Sequence, residues 1–138
     1  MKYCDQFEIT FLNRQSNDLV ARAAIKEFVS KFNPSAENVT DLETIVSEAI
    51  TNAVRFAYPN RDGNITVRCR ALPERVIEIM VRDKGVGIKN VYQAMQPLFT
   101  TNPAFSGMGF TIMETFTYEM RVKSEVGKGT TIWMRKQI

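Results

Sequence analysis

Glu48 and Asn52 are four residues apart, and Asp83 leads the run Asp83-Lys84-Gly85-Val86-Gly87. On a helix, a four-residue spacing projects both side chains from the same side. At roughly 100° per residue, Glu48 and Asn52 fall on the border of an apolar stripe, where they can line a cleft. A carboxamide oxygen suits a hard cation such as magnesium, which needs only one or two protein ligands besides phosphates and waters. A carboxylate beside it can take the proton from an attacking hydroxyl. Taken alone, the pair reads more simply as a surface Glu–Asn pair.

Three glycine-bearing turns add chemistry of their own. Asp83 closes an apolar strand, so its carboxylate is placed at the rim of the core as an acceptor for the exocyclic amine of a base. Gly85 and Gly87 permit positive φ and let backbone approach a planar ligand; a plain turn after a strand is the alternative. Ser106-Gly107-Met108-Gly109 opens a helix, whose unpaired N–H groups and dipole form a phosphate site, or whose glycines simply cap it. It matches neither the G-x-x-x-x-G-K-[ST] loop nor a dinucleotide fingerprint, because no strand precedes it. Gly127-Lys128-Gly129-Thr130-Thr131 is explained as a hairpin turn, with Thr130 at the start of the last strand and in reach of the base end of a ligand.

The elements that must carry these residues follow from periodicity. Phe7, Ile9 and Phe11 alternate with polar residues as a half-buried strand. Ser16 or Asn17 caps a helix to about Phe32, with Leu19, Val20, Ala23, Ala24, Phe28 and Val29 as its apolar face. Asn33-Pro34-Ser35 breaks it, and a second helix runs from near Ala36 to about Phe56 along Leu42, Ile45, Val46, Ala49, Ile50 and Ala53. Ile65, Val67, Cys69 and Ala71, then Ile77, Ile79 and Val81, form a hairpin across Pro73-Glu74 that leads into Asp83. Positions 84–106 hold at most a short helix near Val91–Met95, and a stretch of that length in a small domain is usually functional. A third helix spans about Gly107–Thr117. A last hairpin pairs residues 119–126 with 130–136. The expected architecture is a two-layer α+β sandwich, a mixed, mostly antiparallel sheet with about three helices on one face.

Composition narrows the function classes. The chain has 138 residues, 44% hydrophobic and 24% charged, with a net charge of +3. That bounds one domain able to bury a core. The charge is too small and too dispersed for a nucleic-acid stripe. Cys4 and Cys69 have no zinc-ligand spacing. There is no leader-like or membrane-spanning apolar run, so a reducing, cytoplasmic setting is expected. The sequence contains no histidine, which removes Ser-His-Asp and Cys-His catalysis and any phosphorylation of its own histidine; catalysis must use a carboxylate.

The order of the four motifs along one short chain is more telling than any of them singly. Glu-x-x-x-Asn on a helix, D-x-G-x-G after a strand, G-x-G opening a helix and G-x-G-T-T in a hairpin together resemble the ATP-binding Bergerat (GHKL) fold. Gyrase, a heat-shock chaperone, histidine kinases and MutL share that fold. The segments Ile45–Ala53, Gln96–Thr101 and Ser106–Glu114 look most like the anti-sigma serine kinases of the sporulation anti-sigma-F type, and the resemblance covers nearly the whole chain. It implies ATP or ADP with Mg2+ as ligands, Glu48 as general base and Asn52 as the magnesium ligand. It implies that Asp83 binds the adenine amine, with Gly85, Gly87 and Ile88 shaping that wall and Thr130 near the ring. A lid from Leu98 to Gly109 would cover the phosphates, bringing Thr100, Thr101, Ser106, Gly107, Met108, Gly109 and Phe110 to the nucleotide. The partners it implies are a sigma factor, sequestered by a homodimer, and an anti-anti-sigma protein phosphorylated on serine. Arg22 on the first helix would contact both, without nucleic acid or membrane.

Two departures stand against that pattern. Phe56-Ala57 replace the His-Gly that usually follows the asparagine. The segment Asn102-Pro103-Ala104-Phe105 is about two residues shorter than usual and lacks the basic residue that would face the γ-phosphate, leaving Arg61 and Lys128 as substitutes. A nucleotide-dependent sigma-binding module with little kinase activity is therefore the alternative. A histidine-kinase catalytic domain and a ligand-free structural domain are the other readings, the former disfavoured by the lack of histidine.

Overall fold

The computed structural model describes residues 3–97 and 108–138. Its strands are β1 (Asp5–Leu12), β2 (Asn64–Leu72), β3 (Val76–Asp83), β4 (Glu119–Glu125) and β5 (Gly129–Gln137). Its helices are α1 (Asn17–Ser30), α2 (Ala36–Asn52), the short α3 (Val91–Ala94) and α4 (Gly109–Thr115), and α2 runs on into a π-helical turn at Ala53–Ala57. The sheet order is β1-β2-β3-β5-β4. All four pairings are antiparallel, where the sequence reading allowed a mixed sheet.

The sheet keeps its apolar side for the helices. Ile65, Val67 and Cys69 of β2, Ile77, Ile79 and Val81 of β3 and Ile132 and Met134 of β5 join one buried core with residues of α1, α2 and Met113 of α4. In α2, Leu42, Ile45, Val46 and Ile50 are all 0% exposed. Burying each is worth about 1.5–3 kcal/mol, against tenths of a kcal/mol for helix propensity. Packing thus fixes α2 and the side from which Glu48 and Asn52 project. Its start is set by Ser35, whose hydroxyl accepts from the Asn38 N–H at 3.1 Å.

The other side of the sheet is charged. One row across the register runs Arg70, Glu78, Arg135, Glu119. Arg135 Nε donates to Glu78 at 2.9 Å, and Arg121 lies over the Trp133 ring.

Helix α1 departs from expectation. Its buried residues are Asp18, Ala21, Ile25, Phe28 and Val29, while Leu19 and Val20 are 62% and 54% exposed. The helix is rotated relative to its expected apolar face because Asp18 takes a core-facing position, its charge held by Arg22. Ser16 makes no side-chain cap; the helix entry is tied instead by Asn17 Nδ2 donating to the Leu12 carbonyl at 2.9 Å. Helix α2 also ends earlier as an α-helix than expected, at Asn52, and α4 ends at Thr115.

Candidate functional site

The register between β3 and β5 sets Asp83 opposite Thr130. Asp83 Oδ1 accepts from the Gly85 N–H at 2.9 Å and from the Thr130 N–H at 3.3 Å. Burial pushes its carboxyl above the usual carboxylate range, and those two backbone donors work against the rise. The result is a carboxylate that is 9% exposed, with one oxygen engaged by backbone at the rim of the core.

The turn after Asp83 is clamped from two sides. The Lys84 N–H donates to the Tyr58 hydroxyl at 2.7 Å, and that hydroxyl donates to the Asn64 carbonyl at 2.6 Å. The Val86 N–H donates to the Ala57 carbonyl at 2.8 Å, and the Gly127 N–H to the Val86 carbonyl at 2.9 Å. Glycine is required at two points. A Cβ on Gly85 would lie 2.1 Å from the Ala57 oxygen, and Gly87 has φ +77° with the Glu125 oxygen 2.2 Å from a Cβ there. The Ile88 N–H donates to Ser124 Oγ at 2.7 Å, which in turn bonds the Thr130 hydroxyl at 2.7 Å.

At the other end, Glu48 and Asn52 meet the start of α4. A Cβ on Gly109 would be 3.1 Å from Asn52 Oδ1 and 3.3 Å from Glu48 Oε2. The half-buried Glu48 carboxyl is raised from its ordinary value, chiefly by desolvation; the positive charge of Arg55 opposes this and the negative charge of Asp18 adds to it.

Between these ends lies a cleft of about 720 Å³, within the range of small-molecule and cofactor sites. It is lined by Glu48, Asn52, Asp83, Gly87, Ile88, Met108, Gly109, Phe110 and Thr130, so nine residues singled out from sequence converge on one space. Gly85 stands just behind the wall, its N–H turned to Asp83. Thr100, Thr101, Ser106 and Gly107 lie outside the described residues. Arg22 does not line the cleft; it sits on α1, bonded to Asp18 at 3.1 Å.

Sequence reasoning missed two cations on the cleft wall, Arg55 and Lys89. Arg55 carried a readable signal, since it follows Asn52 by three and Glu48 by seven residues on the same helical track. Lys89 carried none.

The donor set fits a nucleotide with its metal. Asp83 is an acceptor beside apolar Val81, Val86 and Ile132 at one end, and the other end has a carboxamide oxygen, a carboxylate and a guanidinium. Magnesium, which keeps waters and phosphates as most of its ligands, asks no more of the protein than Asn52 offers.

A helix-backed antiparallel sheet with this cleft is the arrangement of an ATPase domain of the histidine-kinase type. The family described as a histidine kinase-like ATPase domain matches residues 14–136. Similar solved structures agree on the fold. A Mycobacterium tuberculosis chain with RsbU and RsbW domains superposes with a TM-score of 0.69 at 18% identity, over 96% of this chain and 32% of that longer one. The histidine kinase domain of Erythrobacter litoralis EL346 gives 0.57 at 16% identity, over 85% and 59%. Proteins named anti-sigma F factor are far closer in sequence. That of Geobacillus thermodenitrificans is 42% identical over 97% of this chain and 93% of its own length; that of Clostridium novyi is 43% identical over 97% and 95%. The chain belongs to the anti-sigma F factor family of histidine kinase-like ATPase domains.

Proposed function

We propose that the 138 residues act as one ATP-binding unit that phosphorylates a serine of an anti-anti-sigma protein and, as a homodimer in the cytoplasm, sequesters a sigma factor. The observation that carries this reading is the shared cleft, with the buried Asp83 carboxylate at one end and Glu48 and Asn52 against Gly109 at the other. In that arrangement Asp83 accepts from the adenine amine, and Asn52 Oδ1 offers magnesium its protein ligand. Bound magnesium would neutralise phosphate charge during transfer. Glu48 takes the proton of the partner's serine hydroxyl as that oxygen attacks the terminal phosphorus; the bond to the bridging oxygen breaks and ADP leaves. The raised Glu48 carboxyl suits a general base, whose efficiency grows as its pKa nears the working pH. Arg22, half-exposed on α1, is available to both protein partners.

The test is transfer of label from γ-labelled ATP to a candidate anti-anti-sigma protein. Transfer that disappears in Glu48→Gln supports the kinase. No transfer, with Glu48→Gln indistinguishable from the parent, rejects it. A second reading, a nucleotide-dependent sigma-binding module with little kinase activity, draws on the lack of a basic residue at 102–105. ATP-dependent sigma binding without a phosphorylated partner would favour it.

A further inference from the structure

A carboxylate that reads a base must point its free oxygen at the base. Asp83 Oδ1 is taken by two backbone donors, while Oδ2 accepts from none of the described residues. Asp83 lines the cleft, so Oδ2 is the oxygen left for an adenine amine. Its direction depends on the main chain between Asp83 and Lys84, whose shared peptide moves as one plane.

Tyr58 grips that peptide. It stands directly after the π-helical turn at Ala53–Ala57 and is 6% exposed. The Lys84 N–H donates to its hydroxyl at 2.7 Å, and the hydroxyl donates onward to the Asn64 carbonyl at 2.6 Å. A phenol has one proton to give, so this relay runs in one direction and ends on backbone at both sides. The ring is held in turn. It lies so close to Gly63 that a Cβ there would overlap it, and the Arg61 guanidinium stands 5.0 Å from its centroid. That contact also accounts for Arg61, which does not line the cleft. On the other side of the same peptide, the Asp83 carbonyl packs against Gly129 of β5.

We propose that Tyr58 is the positioning residue for base recognition: its hydroxyl fixes the peptide after Asp83 and so aims the free carboxylate oxygen at the adenine amine. The assignment rests on the nucleotide reading above and deepens it. Tyr58 is carried at the exit of α2, so the helix that presents Glu48 and Asn52 also sets the Asp83 peptide. The spacing between the base end and the phosphate end of the cleft is thereby fixed through one element.

Calorimetric titration of the full chain in magnesium with ADP and with inosine diphosphate tests this without turnover. Inosine carries a carbonyl where adenine has its amine. Tyr58→Phe deletes the hydroxyl and keeps the ring. It is expected to narrow the preference for ADP about threefold to tenfold, a part of what one hydrogen bond to a charged group is worth. In an Asp83→Asn background the same change is expected to leave the preference where it stands, because two residues acting through one contact are not additive. Gly63→Ala, which keeps the hydroxyl and displaces the ring, is expected to narrow it as well. An unchanged preference in Tyr58→Phe, even in a variant that melts lower, makes Tyr58 a support of the fold alone and overturns the assignment. A preference that narrows just as much in the Asp83→Asn background overturns it too. A parent that binds both nucleotides alike overturns it and leaves nucleotide binding standing, whereas a parent that binds neither removes both readings at once.

Discussion

Arg22 Nε donates to Asp18 Oδ2 across 3.1 Å, while the other carboxylate oxygen of Asp18 is buried with no hydrogen-bond partner among the described residues. Removing the arginine leaves a core-facing charge uncompensated. A fully buried pair broken this way costs several kcal/mol. The Arg22 side chain is 35% exposed, so Arg22→Ala is expected to cost about 1–2 kcal/mol in urea unfolding. The double variant Asp18→Ala/Arg22→Ala recovers most of that stability and none of the sigma or anti-anti-sigma affinity. Affinity that returns together with stability would show that Arg22 merely holds α1 in place.

Gly85 sits where the Asp83 turn crosses the π-helical turn. Gly85→Ala sets a methyl 2.1 Å from the Ala57 oxygen and 2.5 Å from its carbonyl carbon. Backbone on both sides has to give way, at a cost of about 1–3 kcal/mol. Urea unfolding reads the cost, and titration with a fluorescent adenine nucleotide reads the displaced wall as weaker binding. An alanine variant as stable as the parent would mean that the two turns part freely.

Glu48 has a raised carboxyl pKa in the fold, so the native state holds its proton to higher pH than the unfolded chain does. Its contribution to stability is greatest below the unfolded value and is lost as pH rises through the folded value. In magnesium- and nucleotide-free protein, Glu48→Gln is expected to melt higher than the parent at neutral pH. The gap closes on acidification below the unfolded carboxyl pKa. Melting temperatures across pH check this, and a gap that widens toward acid would refute the sign.

The Asp83 carboxyl is raised by burial too, with the Gly85 and Thr130 N–H groups opposing the rise. Asp83→Asn keeps the shape and presents a donor where an acceptor stood. Loss of a charged hydrogen bond is worth about 1.5–3 kcal/mol, which is roughly tenfold to a hundredfold in adenine-nucleotide affinity. A guanine nucleotide, whose ring places a carbonyl where adenine has its amine, should lose nothing. Equal losses for both bases would show that Asp83 holds the turn rather than reads the base.

Much of this molecule was legible because its signals are local. The period-two run of β2 and β3, the Asn33-Pro34-Ser35 break before α2 and the Glu48–Asn52 spacing each depend on neighbours within a few residues. The α1 face was hidden because Asp18, a residue expected in solvent, is buried, while Leu19 and Val20 are not. The sheet order was hidden because no local pattern says that β5, rather than β4, pairs with β3. That pairing is what sets Thr130 beside Asp83. The π-helical turn has no marker in Ala53-Val54-Arg55-Phe56-Ala57; Arg55 within it was readable only from its spacing to Asn52 and Glu48.

The carbonyl of Ala57 accepts from Val86, and the carbonyl of Val86 accepts from Gly127. Three segments distant in sequence are thereby stitched main chain to main chain, outside any strand ladder. Such a seam does not depend on which side chains decorate it. The amides of Val86 and Gly127, both in loops, should therefore exchange with deuterated solvent at rates typical of a strand. Any tilt of α2 is passed to the last hairpin as a displacement of backbone, with no side chain needed to relay it.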